Sequence, residues 1–264
     1  MKHCFITPSK WINESEIWGK SDFLLVLSHL IDSKGENRYT AEVKKFKKSK
    51  KEIILDNWLF ENHIPESIES LLEKACIIEA DVVFAPDYLY DNKKTQEAFE
   101  KFADARDELW IDIKLAYVVQ ATNVNEYIEW YKWAENNKRI DLIGISILSV
   151  PKSFEELSWS KEITKNRIIC LKLLEDIIKP KKDAHLLWLG SSLEDLIKAK
   201  EYKWCVSNDS SSAFQNWLYW KIYLKWEVYP WWKVKKKLDF DLEDLQWREE
   251  LIKKNILDFK QFVK

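Results

Sequence analysis

Glycine is nearly missing from this chain. Four glycines stand among 264 residues, where ordinary usage near 7% predicts roughly 18. No Gly-rich dinucleotide fingerprint and no phosphate loop follows the first apolar strand, which weakens any reading as an open-sheet nucleotide binder. Paired cysteines are missing too: Cys4, Cys76, Cys170 and Cys205 are scattered singly. That pattern excludes a disulfide framework and a zinc site of the usual spacing, and leaves four thiols expected to be inert, with no metal. No stretch of about 18 uninterrupted apolar residues occurs, and the Met1-Lys2-His3 start carries no apolar signal segment. A soluble, intracellular chain is therefore expected, with no membrane partner. Lys plus Arg number 42 against 44 Asp plus Glu. The overall balance thus points to no partner of either sign.

Tryptophan, by contrast, is abundant, with 15 residues. Several stand where glycine chemistry belongs: Trp58 in a strand-exit turn, Trp188 two before Gly190, and Trp231 with Trp232 directly after Pro230. One reading is that many of these positions are glycine in the natural protein, for example through a reassigned stop codon read as tryptophan. The other is a chain that is Trp-rich by nature. The intact mass of protein purified from its native source separates them, because each exchange changes the mass by a large, countable step.

Along the chain, short apolar runs alternate with longer amphipathic stretches. Strands are predicted over Phe23 to Leu27, Glu52 to Leu55, Asp81 to Ala85, Ile113 to Val119, Leu142 to Ile145, Ala184 to Leu189 and Trp204 to Ser207. Helices are predicted over Tyr39 to Lys48, Pro65 to Ala75, Lys93 to Asp107, Asn123 to Asn136, Lys161 to Ile178 and Ser191 to Lys200. Such alternation indicates a parallel α/β architecture. A (β/α)8 TIM barrel in a single domain is favoured over a doubly wound sheet, and about 250 residues is a routine barrel length. An eighth strand is sought either in Ile222 to Leu224 or in His3 to Thr7, pairing at the rim. Residues 1–217 form the expected barrel body. Residues 218–264 are an aromatic, basic segment and an amphipathic helix from Leu242, completing the same domain.

The chemistry gathers at the strand ends. Asp56, Asp87, Gln120, Gly144 and Asp209 all fall at or just after predicted strands, and in a barrel those ends converge on one pocket. In Trp204 to Phe214 the apolar run exits through Ser207 and Asn208 to Asp209, with Ser210 to Ser212 read as the opening turn of a helix that Asp209 could equally cap. Three carboxylates around one cavity can act as nucleophile, proton carrier and acceptor for a substrate's donors. With a glutamine beside an exposed N–H, the set fits the edge of a guanine-like base.

At these residues the chain resembles the tRNA-guanine transglycosylase superfamily, most closely its phage-type 7-deazaguanine DNA transglycosylases. The family's Asp-Ser-Gly-Gly-Phe motif resembles Asp56-Asn57-Trp58-Leu59-Phe60, its second pocket aspartate resembles Asp87 in Phe84-Ala85-Pro86-Asp87, and its Val-Gln segment resembles Val119-Gln120. Its glycine-rich strand exit is similar to Gly144-Ile145-Ser146, and its Gly-x-Gly-Ser/Thr turn to Trp188-Leu189-Gly190-Ser191. The likeness runs from about residue 20 to 217, with the sites in the family's order. It implies a (β/α)8 barrel in which Asp209 attacks C1′ of a guanosine or deoxyguanosine, and Asp56 takes the N9 proton of the incoming 7-deazaguanine, such as preQ0 or preQ1. It further implies that Asp87 accepts from the base N–H groups, that Gln120 and the Gly144 N–H hold its carbonyl, that Phe60 and Leu187 sandwich the ring, and that Ser28 and His29 form a polar wall. A homodimer or other modification proteins, and a microbial or phage-infected cytoplasm, follow from the same likeness.

Two departures stand out: the zinc motif of the larger tRNA members is missing, and Trp58 and Trp188 replace small residues. Lys221, Lys225, Lys233, Lys235 and Lys236, next to Trp220, Tyr223 and Tyr229, suit a phosphate-tracking edge whose affinity falls steeply with salt. The zinc-free pattern favours DNA over tRNA as substrate. A non-catalytic nucleic-acid-binding barrel, or a glycoside hydrolase with two carboxylates, remains the competing reading.

Overall fold

A computed structural model describes residues 1–7, 9, 12–13, 21–57, 65–188, 194–210, 250 and 252–257. Trp58, Phe60, Gly190, Ser191, Ile222 to Leu224, Trp231, Trp232 and the lysines at 221, 225, 233, 235 and 236 lie outside the described residues.

The described chain is a parallel α/β barrel. Eight strands run β1 Lys2–Phe5, β2 Phe23–Leu27, β3 Glu52–Asp56, β4 Val82–Phe84, β5 Lys114–Val118, β6 Leu142–Ile145, β7 Asp183–Leu186 and β8 Cys205–Ser210. They pair in the order β1-β8-β7-β6-β5-β4-β3-β2, every neighbour parallel. The ring nearly closes between β1 and β2. There the Asp22 N–H donates to the His3 carbonyl at 2.9 Å, the His3 N–H to Asp22 Oδ2 at 2.9 Å, and the Leu25 N–H to Cys4 Sγ at 3.2 Å.

The eighth strand is therefore the N-terminal segment, and it is a full stave of the barrel, with Cys4 level with Asp209. Beside it, β8 is longer than its sequence suggests. It begins at Cys205 and continues through Asp209 and Ser210, so Ser210 extends the strand and does not open a helix. The reason is pairing: Asn208, Asp209 and Ser210 each have a partner in β1, which holds a polar, turn-like sequence extended.

Seven helices lie between the strands among the described residues: α1 Arg38–Lys47, α2 Ile68–Ile77, α3 Asn92–Glu108, α4 Val124–Asn136, α5 Ser149–Ser158, α6 Ile163–Ile177 and α7 Glu194–Ala199. Four start on a side-chain cap. Asn37, Ser67, Asp91 and Asn123 accept the N–H of Thr40, Ser70, Lys94 and Glu126 at 2.8, 3.2, 3.1 and 3.0 Å. Each satisfies a donor that the first helical turn leaves open. Helix α5 was not predicted; Pro151 sits in its first turn, where a proline costs no helical hydrogen bond.

Strand side chains alternate between two cores. Leu24, Val26, Leu55, Val83 and Leu115 face the helices, while Phe23, Leu25, Ile54, Phe84, Ala116 and Val118 fill the lumen. Because both faces are buried, the strands read as unbroken apolar runs. Toward the carboxyl end the lumen becomes polar, and there Asp56, Gln120, Ser146 and Asp209 are all buried. Residues 252–257 are helical, with Ile252 and Ile256 in the outer core. No helix among the described residues is long and apolar enough to cross a membrane.

Three tryptophans hold a left-handed backbone: Trp110 at φ 55°, Trp159 at φ 52° and Trp188 at φ 54°. Lys50, Glu79, Tyr90 and Lys179 share that region. Trp110 and Trp159 each follow a helix and are 92% and 94% exposed. Such positions are where glycine ordinarily ends a helix, and these indoles bury almost nothing in return for the strain. Trp110→Gly and Trp159→Gly should each stabilise the fold by about 1 kcal/mol and raise the calorimetric midpoint by about 2–4 °C. A lowered midpoint would contradict this.

Candidate functional site

At the carboxyl end of the barrel lies a hollow of about 40 Å³. Asp56, Asn57, Asp87, Gln120, Leu187 and Trp188 are among its walls, with Val118 and Ser146 beside them. Its sides are built by the ends of β3 to β7, as a barrel's ligand face should be.

Two side-chain amides hold Asp87 in it. Asn57 Nδ2 donates to Oδ1 at 2.7 Å, Gln120 Nε2 donates to Oδ2 at 2.5 Å, and Asn57 also donates to the Ala85 carbonyl at 2.7 Å. Gln120 is itself fixed. Its Oε1 accepts the Tyr90 N–H at 3.2 Å, and its own N–H donates to Asn92 Oδ1 at 3.1 Å. Burial pushes the Asp87 carboxyl up to about 6, although the amides of Gln120 and Asn57 pull it back.

The sign of that shift makes two statements. Asp87 contributes stability that is full below pH 3.8 and is lost as pH rises to about 6, because ionising it when buried costs more than ionising it in the unfolded chain. A ligand that donates N–H bonds needs the ionised form. Affinity for such an N–H-donating ligand is therefore expected to rise as pH climbs through 6 and to level off above it, as calorimetric titration would show. The pH dependence should vanish in Asp87→Asn.

Asp209 sits elsewhere in the same lumen. It is fully buried in β8 and does not line the hollow. Its Oδ1 meets His185 Nε2 at 2.8 Å and accepts the Trp188 N–H at 3.2 Å. His185 Nδ1 contacts Ser207 Oγ at 2.8 Å. The His185 ring lies between Phe23 and Phe84, with centroids 5.8 and 5.7 Å away. Trp188 thus touches both halves of the site, lining the hollow while its backbone holds Asp209.

The strand that ends at Trp188 is anchored from behind. The buried guanidinium of Arg167, on α6, donates to the carbonyls of Trp188, Leu187 and Ile145, the last two at 3.3 and 3.5 Å. Neither His185 nor Arg167 was singled out from sequence. His185 could have been found as the one titratable residue in the run Ala184 to Leu189, at the same strand parity as Leu187. Arg167 gives no such signal, since a single arginine in a helix usually faces solvent.

Of the other expected residues, Asp56 and Leu187 line the hollow. Gly144 is inside β6, paired with Val118 and His185, and not at a strand exit. A Cβ there would come within 2.9 Å of the Phe84 ring, 3.0 Å of Val118 and 3.1 Å of Leu187. A side chain there would have to push these three neighbours aside under the hollow. Ser28 and His29 do not line it; β2 ends in a short 3-10 turn over Ser28–Leu30 that carries them aside. Phe60 lies outside the described residues.

Among the described residues no cluster of His, Cys, Asp or Glu could hold a metal ion. Cys4, Cys170 and Cys205 are buried, and burial pushes all three thiols far up, Cys170 to about 12. Comparison of the chain with protein-family models and with curated proteins finds no match.

Proposed function

We propose that this protein exchanges guanine in a nucleic acid for a 7-deazaguanine base, through a covalent bond between Asp209 and the sugar, with DNA as the polymer. The observation that carries the reading is the clamp of Asp87 and Gln120 facing one hollow with Asp56, in the same lumen as Asp209. Asp87 presents acceptors for the N1 and N2 protons of a guanine edge, and the Gln120 amide can turn a donor toward O6 once the base displaces it from Asp87.

In the first displacement Asp209 forms a C–O bond to C1′ as the C1′–N9 bond breaks. The electron pair leaves on N9, which takes a proton from Asp56. In the second, the incoming 7-deazaguanine returns its N9 proton to Asp56 and N9 attacks C1′. The ester bond breaks, and Asp209 regains its charge. Two inversions give retention at the sugar. Extruding the target nucleotide costs a few kcal/mol, which the closed pocket must recover through stacking and hydrogen bonds.

At about 40 Å³ the hollow has room for a few waters, each needing about 10–15 Å³ of such space, and none for a purine. A purine requires it to widen, and Trp188 is the largest side chain among its described walls. Incubation with labelled guanine and either duplex DNA or tRNA tests the reading. Label entering DNA supports it, label entering tRNA alone moves the chemistry to the other polymer, and label entering neither overturns it.

A further inference from the structure

His185 holds the two sides of one buried relay. Its Nδ1 faces the Ser207 hydroxyl at 2.8 Å and its Nε2 faces Asp209 Oδ1 at 2.8 Å, with all three side chains buried in the lumen. A neutral imidazole satisfies both contacts in one tautomer only. The serine donates to Nδ1, and Nε2–H donates to the carboxylate, since an ionised carboxylate has nothing to donate. The Trp188 N–H donates to the same Oδ1 at 3.2 Å. Oδ1 therefore takes two hydrogen bonds, whereas Oδ2, buried as well, takes none among the described residues.

That asymmetry has a chemical consequence. Hydrogen bonds lower the nucleophilicity of the oxygen that accepts them and fix the plane of the carboxylate. The oxygen left bare keeps its electron density and has one orientation. We infer that His185 is a positioning residue for Asp209, which spends Oδ1 on His185 and Trp188 and attacks the sugar through Oδ2. The inference rests on the transglycosylase reading above. It goes beyond it by naming the attacking atom and the group that selects it. Phe23 and Phe84 close the ring in on either side, so His185 has no other polar partner than Ser207 and Asp209 among the described residues.

Two substitutions separate positioning from simple packing. In His185→Gln the amide nitrogen can reach the place of Nε2 and still donate to Asp209. In His185→Asn the shorter amide can reach Ser207 but not Asp209. Orienting partners of this kind are worth about 10- to 100-fold. The His185→Asn rate of glycosyl-enzyme formation should fall by about that factor, with the KM for the nucleic acid unchanged, and His185→Gln should recover most of it. Equal losses in both variants, or a loss in KM alone, would overturn the inference.

Nitrogen NMR of the wild-type protein gives a second reading that needs no activity. His185 should show a protonated Nε2 and a bare Nδ1, and the Nε2 signal should move in Asp209→Asn. The opposite tautomer would overturn the positioning role even if base exchange is observed. If the tautomer is as inferred and no polymer takes label, the exchange reading falls and Oδ2 as the attacking atom falls with it, while His185 still orients the Asp209 carboxylate.

Discussion

Asp209→Asn should abolish base exchange, lowering the rate by about 10⁴-fold or more, the scale on which removal of a covalent nucleophile is felt. The substitution is close to isosteric, and an asparagine Oδ1 can still accept from His185 Nε2 and from the Trp188 N–H, which meet Asp209 at 2.8 and 3.2 Å. What is lost is the charge, and with it the ability to form an ester at C1′. Guanine should still bind, because Asp56, Asp87 and Gln120 are untouched and line the hollow without Asp209. Retained exchange in the variant would remove Asp209 from the chemistry. Loss of guanine binding along with exchange would show a disturbed pocket and no specific role.

Trp188→Gly should raise the affinity for free guanine or a 7-deazaguanine by about 100-fold, which is about 2.7 kcal/mol. Two contacts that hold this site together are made by the Trp188 backbone. Its N–H donates to Asp209 Oδ1 at 3.2 Å, and its carbonyl accepts from Arg167. Glycine keeps both. It also relieves a left-handed residue at φ 54°, a conformation that costs a side chain about 1–2 kcal/mol. Removing the indole enlarges a hollow of about 40 Å³ that Trp188 helps to line. Trp188→Ala opens the same space but keeps a Cβ at positive φ, so it should bind base nearly as well and be the less stable of the two. An unchanged affinity in both variants would show that the indole does not obstruct the base.

How far the sequence could be read depended on whether a residue's role was local. The strands Phe23–Leu27 and Leu142–Ile145 were legible because both faces of a barrel strand are buried, so they read as unbroken apolar runs. The starts of α3 and α4 were legible to within one residue, the expected Lys93 and Asn123 adjoining the observed Asn92 and Val124. β1 was legible only as one of two candidates for the eighth strand, because Lys-His-Cys-Phe becomes a strand only through pairing with a segment some two hundred residues away. The same pairing carries β8 through Asp209 to Ser210, past its expected end at Ser207. Asp56, Asp87 and Gln120 were legible as strand-end polar residues, and they do meet at one hollow. His185 and Arg167 were missed because nothing local marks them. Their roles exist only once β7, β8 and α6 are side by side. The unusual tryptophans were legible from composition, and the left-handed backbone of Trp110, Trp159 and Trp188 is the conformational counterpart of that excess.

The most direct test is to trap the intermediate. The protein is incubated with a duplex carrying the target guanine, quenched with denaturant, digested and weighed by mass spectrometry. The account predicts a nucleotide joined through an ester to Asp209, in the peptide that contains Cys205–Ser210, and its disappearance when excess free base is added before the quench. Base release with no protein-linked nucleotide, or a linkage at Asp56 or Asp87, would contradict it.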